Sequence, residues 1–271
     1  MNEIAYNVES FNDELEIIVI SDTHIGSAQF NETLLREVIN YVLNTEGVYC
    51  ILNGDILDNN LTSSIGDAYE NAMTPSVALS YACLLFKPLA DANKIICMTG
   101  GNHDYDRTKK IADISPSVSL AVHLGLEKRY SADSVLLYLN AKVQKTKHVT
   151  FTLFVNHGRN GGGGRTSGSK ANALEAMSSV IPCCDVYIHS HSHYPITFKD
   201  EYYLPNKTTK HGHWYERLYV NTNAFLNYFN SYGEAKLYKP SSQSIPRIKL
   251  NVRRFIKGKI DRLIKSVSCE I

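Results

Sequence analysis

Five apolar, β-branched runs recur along this chain of 271 residues, and each ends within a few positions in a cluster of Asp, Asn or His. Leu15 to Ile20 leads to Asp22-Thr23-His24, Val48 to Leu52 to Gly54-Asp55-Ile56-Leu57-Asp58, and Lys94 to Met98 to Gly100-Gly101-Asn102-His103-Asp104. Phe151 to Val155 leads to Asn156-His157-Gly158, and Val186 to Ile188 to Ser190-His191-Ser192-His193. Short runs of this composition read as buried strands. Residues just past strand ends are where α/β proteins assemble their sites.

Helical patterns alternate with the first of these runs. Asn31 to Asn44 carries Leu34, Leu35, Val38, Ile39 and Val42 at helical spacing, and Val77 to Ala92 reads as a second helix. The polar segment Asn59 to Pro75 is expected to loop over the strand ends. Beyond about residue 130 the chain is strand-rich, with Val135 to Leu139, Val149 to Val155, Val186 to Ile188, Ile196 to Tyr203 and Arg217 to Val220. The first half is βαβ in type and the second more antiparallel, which suits packed layers that bury strands on both faces.

With 44% hydrophobic residues the chain can bury one large core. We expect one domain over residues 1–240 and a basic appendage over 241–271 that is not an independent domain. No apolar run reaches the 18 or so residues of a membrane span. The first ten residues hold acids and no base, unlike a signal peptide, so a cytoplasmic protein is expected. The six cysteines show no C-x-x-C spacing and read as free, mostly buried thiols; a soft-metal role for Cys183 and Cys184 is disfavoured by their place at the start of a strand.

Charge is concentrated at the C-terminal end. Pro246 to Ile271 holds eight Lys or Arg and two Asp or Glu, which leaves 20 basic and 25 acidic residues in the rest of a chain that totals 28 and 27. Ile256, Ile260, Leu263 and Ile264 fall at i, i+4, i+7 and i+8, so a basic amphipathic helix is expected, packed on the sheet or touching nucleic acid, an acidic partner or a second subunit.

Taken singly, Asp55, Asp58 and Asn102 read as turn residues, with Gly54 and Gly101 allowing positive φ. Taken together and in order, the five blocks resemble the calcineurin-like metallophosphoesterases, whose pattern is D-x-H, G-D-x-x-D, G-N-H-D/E, a lone H and G-H-x-H. The resemblance covers roughly residues 14 to 225, with Ser190 where the family usually has Gly. It implies a four-layer α/β sandwich of two mixed β-sheets flanked by helices. It also implies two divalent ions, one held by Asp22, His24, Asp55 and His193 and the other by Asp55, Asn102, His157 and His191, with Asp55 bridging. Such a mixed shell suits Mn, with Fe, Zn or Ni also accepted. Ions about 3.5–4 Å apart would activate a water as hydroxide nucleophile and neutralise phosphate oxygens. His103 matches the family's non-ligating catalytic histidine, the general acid, and Asp104 is expected to fix its tautomer. Asp58 is expected to orient a histidine or a water from behind the ligands. His189 is expected to pack or to support a ligand, and His211 and His213 to be solvated.

Directly after His157 runs Gly158-Arg159-Asn-Gly-Gly-Gly-Gly-Arg165, and Lys170 follows at the start of a helical stretch, Ala171 to Ser179. Such a loop is either a flexible linker or a phosphate clamp, so Arg159, Arg165 and Lys170 are candidate substrate contacts. The resulting expectation is a phosphoesterase acting on phosphodiesters of nucleotides or nucleic acid, with phosphomonoesters as the alternative. A binding or scaffold module of the same fold is the reading from another class, and it predicts lost ligands. None of the expected ligands is missing.

Overall fold

Alternation along the second strand already demands layers on both of its faces. Ile17 and Val19 point one way and Ile18 and Ile20 the other, and all four are buried. The computed structural model shows how this is met. It describes every residue except 9–13, 63–70, 145–146, 159–165, 236, 238, 241–242 and 258–259, with the backbone alone at 144, 147, 232, 257, 260 and 261.

In chain order the elements are β1 (Asn2–Val8), β2 (Glu14–Ile20), α1 (Glu32–Asn44), β3 (Val48–Asn53), α2 (Pro75–Asp91) and β4 (Ile95–Thr99). A π-helical turn (Asn102–Asp106) runs into α3 (Arg107–Ala112), followed by α4 (Pro116–His123), β5 (Tyr130–Ser131), β6 (Ser134–Gln144) and β7 (Lys147–Asn156). Then come α5 (Ser167–Val180), β8 (Val186–His189), β9 (Ile196–Asn206), β10 (His211–Asn221), α6 (Tyr232–Ala235), β11 (Arg247–Lys257) and β12 (Ile260–Glu270).

The strands form two six-stranded mixed sheets, ordered β1-β6-β7-β8-β10-β9 and β12-β11-β2-β3-β4-β5. Between them lies a core that includes Ile17, Val19, Ile51 and Ile96 from one sheet and Leu137, Leu153, Val155, Ile188 and Val220 from the other. The outer face of the second sheet packs Ile18, Ile20 and Leu52 against Leu35 and Ile39 of α1, Ala82 and Phe86 of α2 and Leu120 of α4. Phe154, Tyr187 and Tyr219 on the outer face of the first sheet pack on Leu174 and Met177 of α5. Helices, sheet, sheet and helix therefore make four layers, the α/β sandwich expected from the sequence. Asn31 caps α1 by accepting from Leu34 N at 3.1 Å, and Thr166 caps α5 by accepting from Ser169 N at 3.3 Å.

The C-terminal segment corrects one expectation. In place of a basic helix, β11 and β12 form an antiparallel pair, and β11 joins β2 from Arg247↔Ile18 to Asn251↔Glu14. Ile248, Leu250 and Val252 alternate into the inter-sheet core, and that burial outweighs the helical spacing of the four residues further on. Strand β1 and helices α3 and α4 were not anticipated. Of the six cysteines, none is disulfide-bonded; Cys50, Cys97 and Cys184 are buried, whereas Cys183 is exposed. Among the described residues no helix is long and apolar enough to cross a membrane.

Candidate metal centre

The strand ends of both sheets meet at one rim. Strands β2, β3 and β4 run parallel and deliver Asp22 and His24, Asp55 and Asp58, and Asn102 and His103, while β7 and β8, also parallel, deliver His157, His191 and His193. Left-handed backbone turns each chain inward at Asp22 (φ 50°), His24 (φ 46°), Asp55 (φ 48°), His191 (φ 67°) and His193 (φ 52°). This conformation is uncommon for residues with a side chain, and strain of on the order of 1 kcal/mol each persists where surrounding contacts enforce it. Those contacts are visible: Asp22 N donates to Gly54 O at 3.1 Å, His24 N to Asp55 O at 3.1 Å and Ile25 N to Ile56 O at 2.9 Å, zipping the first two loops together.

Two glycines are dictated by close approach. At Gly54, φ is +72° and a Cβ would lie 2.7 Å from the His157 ring. Gly101 was expected to need positive φ, but its φ is −111°. A Cβ there would instead stand 2.1 Å from Asp55 Oδ1, so the glycine clears room for the carboxylate.

Asp22, His24 and His193 bring one donor atom each within 4.8 Å of one another, and Asp55, His157 and His191 do the same. His193 Nε2 lies 3.1 Å from Asp22 Oδ1, and His157 Nε2 lies 3.1 Å from Asp55 Oδ2. His24 Nε2 and His193 Nε2 face each other at 3.3 Å. The outward nitrogens fix the tautomers: His157 Nδ1 donates to Asn53 O at 2.8 Å, and His24 Nδ1 lies 3.2 Å from Asp58 Oδ1. Both Nε2 lone pairs are thereby turned inward. Asp22 Oδ1, Asn102 Oδ1 and His157 Nε2 are buried without a hydrogen-bond partner, a condition few buried polar atoms tolerate. A divalent ion supplies the missing partner for carboxylate, amide and imidazole together, so these residues fit a metal.

Electrostatics agree. Burial pushes the Asp22 and Asp55 carboxyls up, but the imidazoles of His193 and His157 around Asp22, and of His157 and His103 around Asp55, hold both well below the usual range. Against the burial that lowers it, His157 is raised to about 10 by Asp55 and Asp22. His191 is lowered to about 4 by burial.

The placement of Asp104 corrects a second expectation. Its carboxylate accepts from Ile56 N at 2.7 Å and Gly101 N at 2.8 Å, and no hydrogen bond joins it to His103. Successive residues of a helical turn point about 100° apart, so neighbours 103 and 104 cannot share a side. Burial and the Asp55 charge push Asp104 up to about 6. Asp58 holds His103 instead, with its carbonyl 2.9 Å and its Oδ1 3.3 Å from His103 Nδ1.

The remaining candidates divide. Arg159 and Arg165 lie outside the described residues. Lys170 donates to Ser192 O at 3.2 Å and sits 4.7 Å from the centre of the Tyr194 ring. His189 is buried, pairs through Nδ1 with Asn221 Oδ1 at 2.8 Å, and is lowered by burial. His211 and His213 are exposed on β10.

Sequence reasoning missed Asn53. Its Nδ2 donates to Ser190 Oγ at 2.6 Å and to Asn156 O at 3.2 Å, and its Oδ1 accepts from Thr99 Oγ1 at 2.7 Å. Ser190 Oγ continues to Thr222 Oγ1 at 2.8 Å, which meets Ser21 Oγ at 2.6 Å. These fully buried side chains form a polar belt that crosses between the sheets beneath the metal ligands, and Ser190 contributes a hydroxyl that glycine lacks. An Asn closing an otherwise apolar strand was the available signal. Arg107, also missed, lies four residues beyond His103.

Stacked mixed sheets that pool Asp, Asn and His donors at a shared rim define a metalloprotein of the α/β sandwich class. Within that class the chain matches the Calcineurin-like phosphoesterase family over residues 15–195, more than half its length, and it belongs to that family. A comparison with curated proteins gives no match. Family membership and the His/Asp cluster together support a metal-dependent phosphoesterase, whose substrate is a phosphate ester.

Proposed function

We propose that the chain is a dinuclear phosphodiesterase acting on nucleotides or nucleic acid, in a cytoplasmic setting that suits its unpaired thiols. The observation that carries this reading is the pair of adjacent donor groups, Asp22/His24/His193 and Asp55/His157/His191, with orphaned buried donor atoms in both and on Asn102. Asp22, His24, Asp55 and His193 would hold one ion, and Asp55, Asn102, His157 and His191 the other. Two bound ions, Mn by preference and Fe, Zn or Ni by the same donor chemistry, would lower the pKa of a water and neutralise phosphate oxygens.

The protein's own groups do the rest. Asp55 Oδ1 accepts from His103 N at 2.8 Å, which leaves Oδ2, 3.1 Å from His157 Nε2, as the oxygen that would be offered to metal. Asp58 locks the His24 and His103 tautomers from behind. His103 lies at the mouth, its ring 4.5 Å from that of His24, where it can pass a proton to the leaving oxygen. Lys170, held at Ser192 O one residue before His193 in the chain, would offer charge to a flanking phosphate.

The test is hydrolysis of bis-p-nitrophenyl phosphate and p-nitrophenyl phosphate by chelator-stripped protein with Mn restored, and by His103→Ala. Metal-dependent turnover that favours the diester and falls in the variant supports the proposal. Preference for the monoester would move it to a phosphomonoesterase, and full metal occupancy with no turnover to a binding module.

A further inference from the structure

Arg107 opens α3 immediately after the π-helical turn that carries Asn102 and His103, and the chemistry above leaves it without a task. Its guanidinium is partly buried and aimed at the rim. Nη1 donates to Asp58 O at 2.9 Å and to Asn60 Oδ1, and Nη2 stands 2.8 Å from His103 Nε2. A guanidinium has N–H donors and no lone pair, so His103 Nε2 must be the acceptor in this contact. That assignment agrees with the other side of the ring, where Nδ1 faces the Asp58 carbonyl at 2.9 Å and must donate. Arg107 therefore caps the very nitrogen that has to face a leaving group.

Two further observations say what the cap is for. Of the five guanidinium N–H bonds, three are directed at Asp58 O, Asn60 and His103, and two remain among the described residues. No carboxylate among the described residues lies within ion-pair distance of Arg107, whereas Arg217 and Arg247 each grip an acid with Nε and Nη2. Asp58, Asp55 and Asp104 act on the guanidinium only at longer range, and a half-buried cation with two donors to spare and no carboxylate in contact among the described residues is electrostatically incomplete.

We propose that Arg107 is a substrate-binding residue that takes two unesterified phosphoryl oxygens in a bidentate grip. In doing so it exchanges its hydrogen bond to His103 Nε2 for hydrogen bonds to phosphate, so the arriving phosphate frees His103 Nε2 to take up from solvent the proton that it passes to the leaving oxygen. This deepens the phosphoesterase reading and rests on it for the identity of the anion. It restricts the site to a tetrahedral oxyanion with two free oxygens and disfavours fully esterified or neutral substrates.

Orthophosphate binding by calorimetry, on Mn-loaded protein with metal content measured for every variant, tests the proposal without requiring turnover. Arg107→Ala should weaken phosphate by about 10- to 100-fold at unchanged metal content, the loss expected for charge-assisted hydrogen bonds. Arg107→Lys should recover only part, because an ammonium lacks the planar fork, and guanidinium ion added to Arg107→Ala should restore affinity. Unchanged phosphate affinity in a folded, fully metallated Arg107→Ala would overturn the proposal and leave Arg107 a positioning group for the Asp58–Asn60 loop. Should the wild-type protein hydrolyse no ester while phosphate binding still collapses in Arg107→Ala, the functional reading fails and the anion site stands.

Discussion

Asn53→Ala cuts the polar belt at its centre. The substitution removes the amide that joins Ser190 Oγ, Asn156 O and Thr99 Oγ1 at 2.6, 3.2 and 2.7 Å. Ser190 keeps Thr222 as a partner, but Thr99 and the Asn156 carbonyl lose Asn53. Each buried polar group left unpaired costs about 1–3 kcal/mol. The expected loss is about 3 kcal/mol, enough to lower the melting temperature by roughly 5 °C in a domain of this size. Urea unfolding of the metal-free protein, followed by circular dichroism, reads this directly. Because the His157 Nδ1 bond goes to the Asn53 main-chain carbonyl, the variant keeps that tautomer lock, and any fall in Mn affinity reports displacement of one sheet against the other. In a double-mutant cycle with Ser190→Ala the two substitutions should couple by about 1 kcal/mol. A loss under about 1 kcal/mol, with no coupling, would refute the belt as a tie between sheets.

Asp58→Ala should weaken metal binding by about 10- to 100-fold, since it frees the His24 ring that the Asp58 carboxylate orients while His103 keeps the Asp58 main-chain carbonyl; competition against a colorimetric chelator measures it. Gly54→Ala places a Cβ 2.7 Å from the His157 ring in a left-handed turn, so it should cost about 1–3 kcal/mol and lower metal content together, as read by melting and elemental analysis. His157 also gives a pH signature. Its folded-state pKa is raised to about 10 from an ordinary 6.5, so the metal-free fold gains stability that is complete below pH 6.5 and lost as pH rises through 10. Metal must displace that proton, so at pH 8 calorimetric binding enthalpies should vary with buffer ionisation enthalpy by about one proton released. An enthalpy independent of the buffer would contradict the assignment.

Strands β2, β3, β4, β7 and β8 were legible because each is a short apolar run ending in a polar cluster, a pattern local to the sequence. The same locality explains the misreadings. Ile256, Ile260, Leu263 and Ile264 satisfy a helical period, but the competing alternation of Ile248, Leu250 and Val252 is rewarded only by a partner strand some 230 positions earlier, from Arg247↔Ile18 to Asn251↔Glu14. Strand β1 buries Ile4, Tyr6 and Val8 at a period of two, a signal present in the sequence. At the site, the residues that make up each donor group stand in the ordered motifs that carry the family resemblance, and it was the resemblance that singled them out. The partner of His103 was not, because the π-helical turn decides where Asp104 points. Arg107 and Asn53 act through contacts between distant segments, to which no single motif points.

The order of strands in the sheets has a kinetic consequence. Strand β1, from the chain's start, pairs with β6 in one sheet, while β11, near its end, pairs with β2 in the other. The two layers are thus interleaved along the chain, and no cut separates them into consecutive halves. Asp22, Asp55 and Asn102 come from one layer and His157, His191 and His193 from the other, so a ligand set closes only when both layers have docked. Contacts this distant in sequence form late in folding. Metal should therefore leave the rate of folding almost unchanged and slow the rate of unfolding, so that a loaded molecule outlasts an unloaded one chiefly by opening less often.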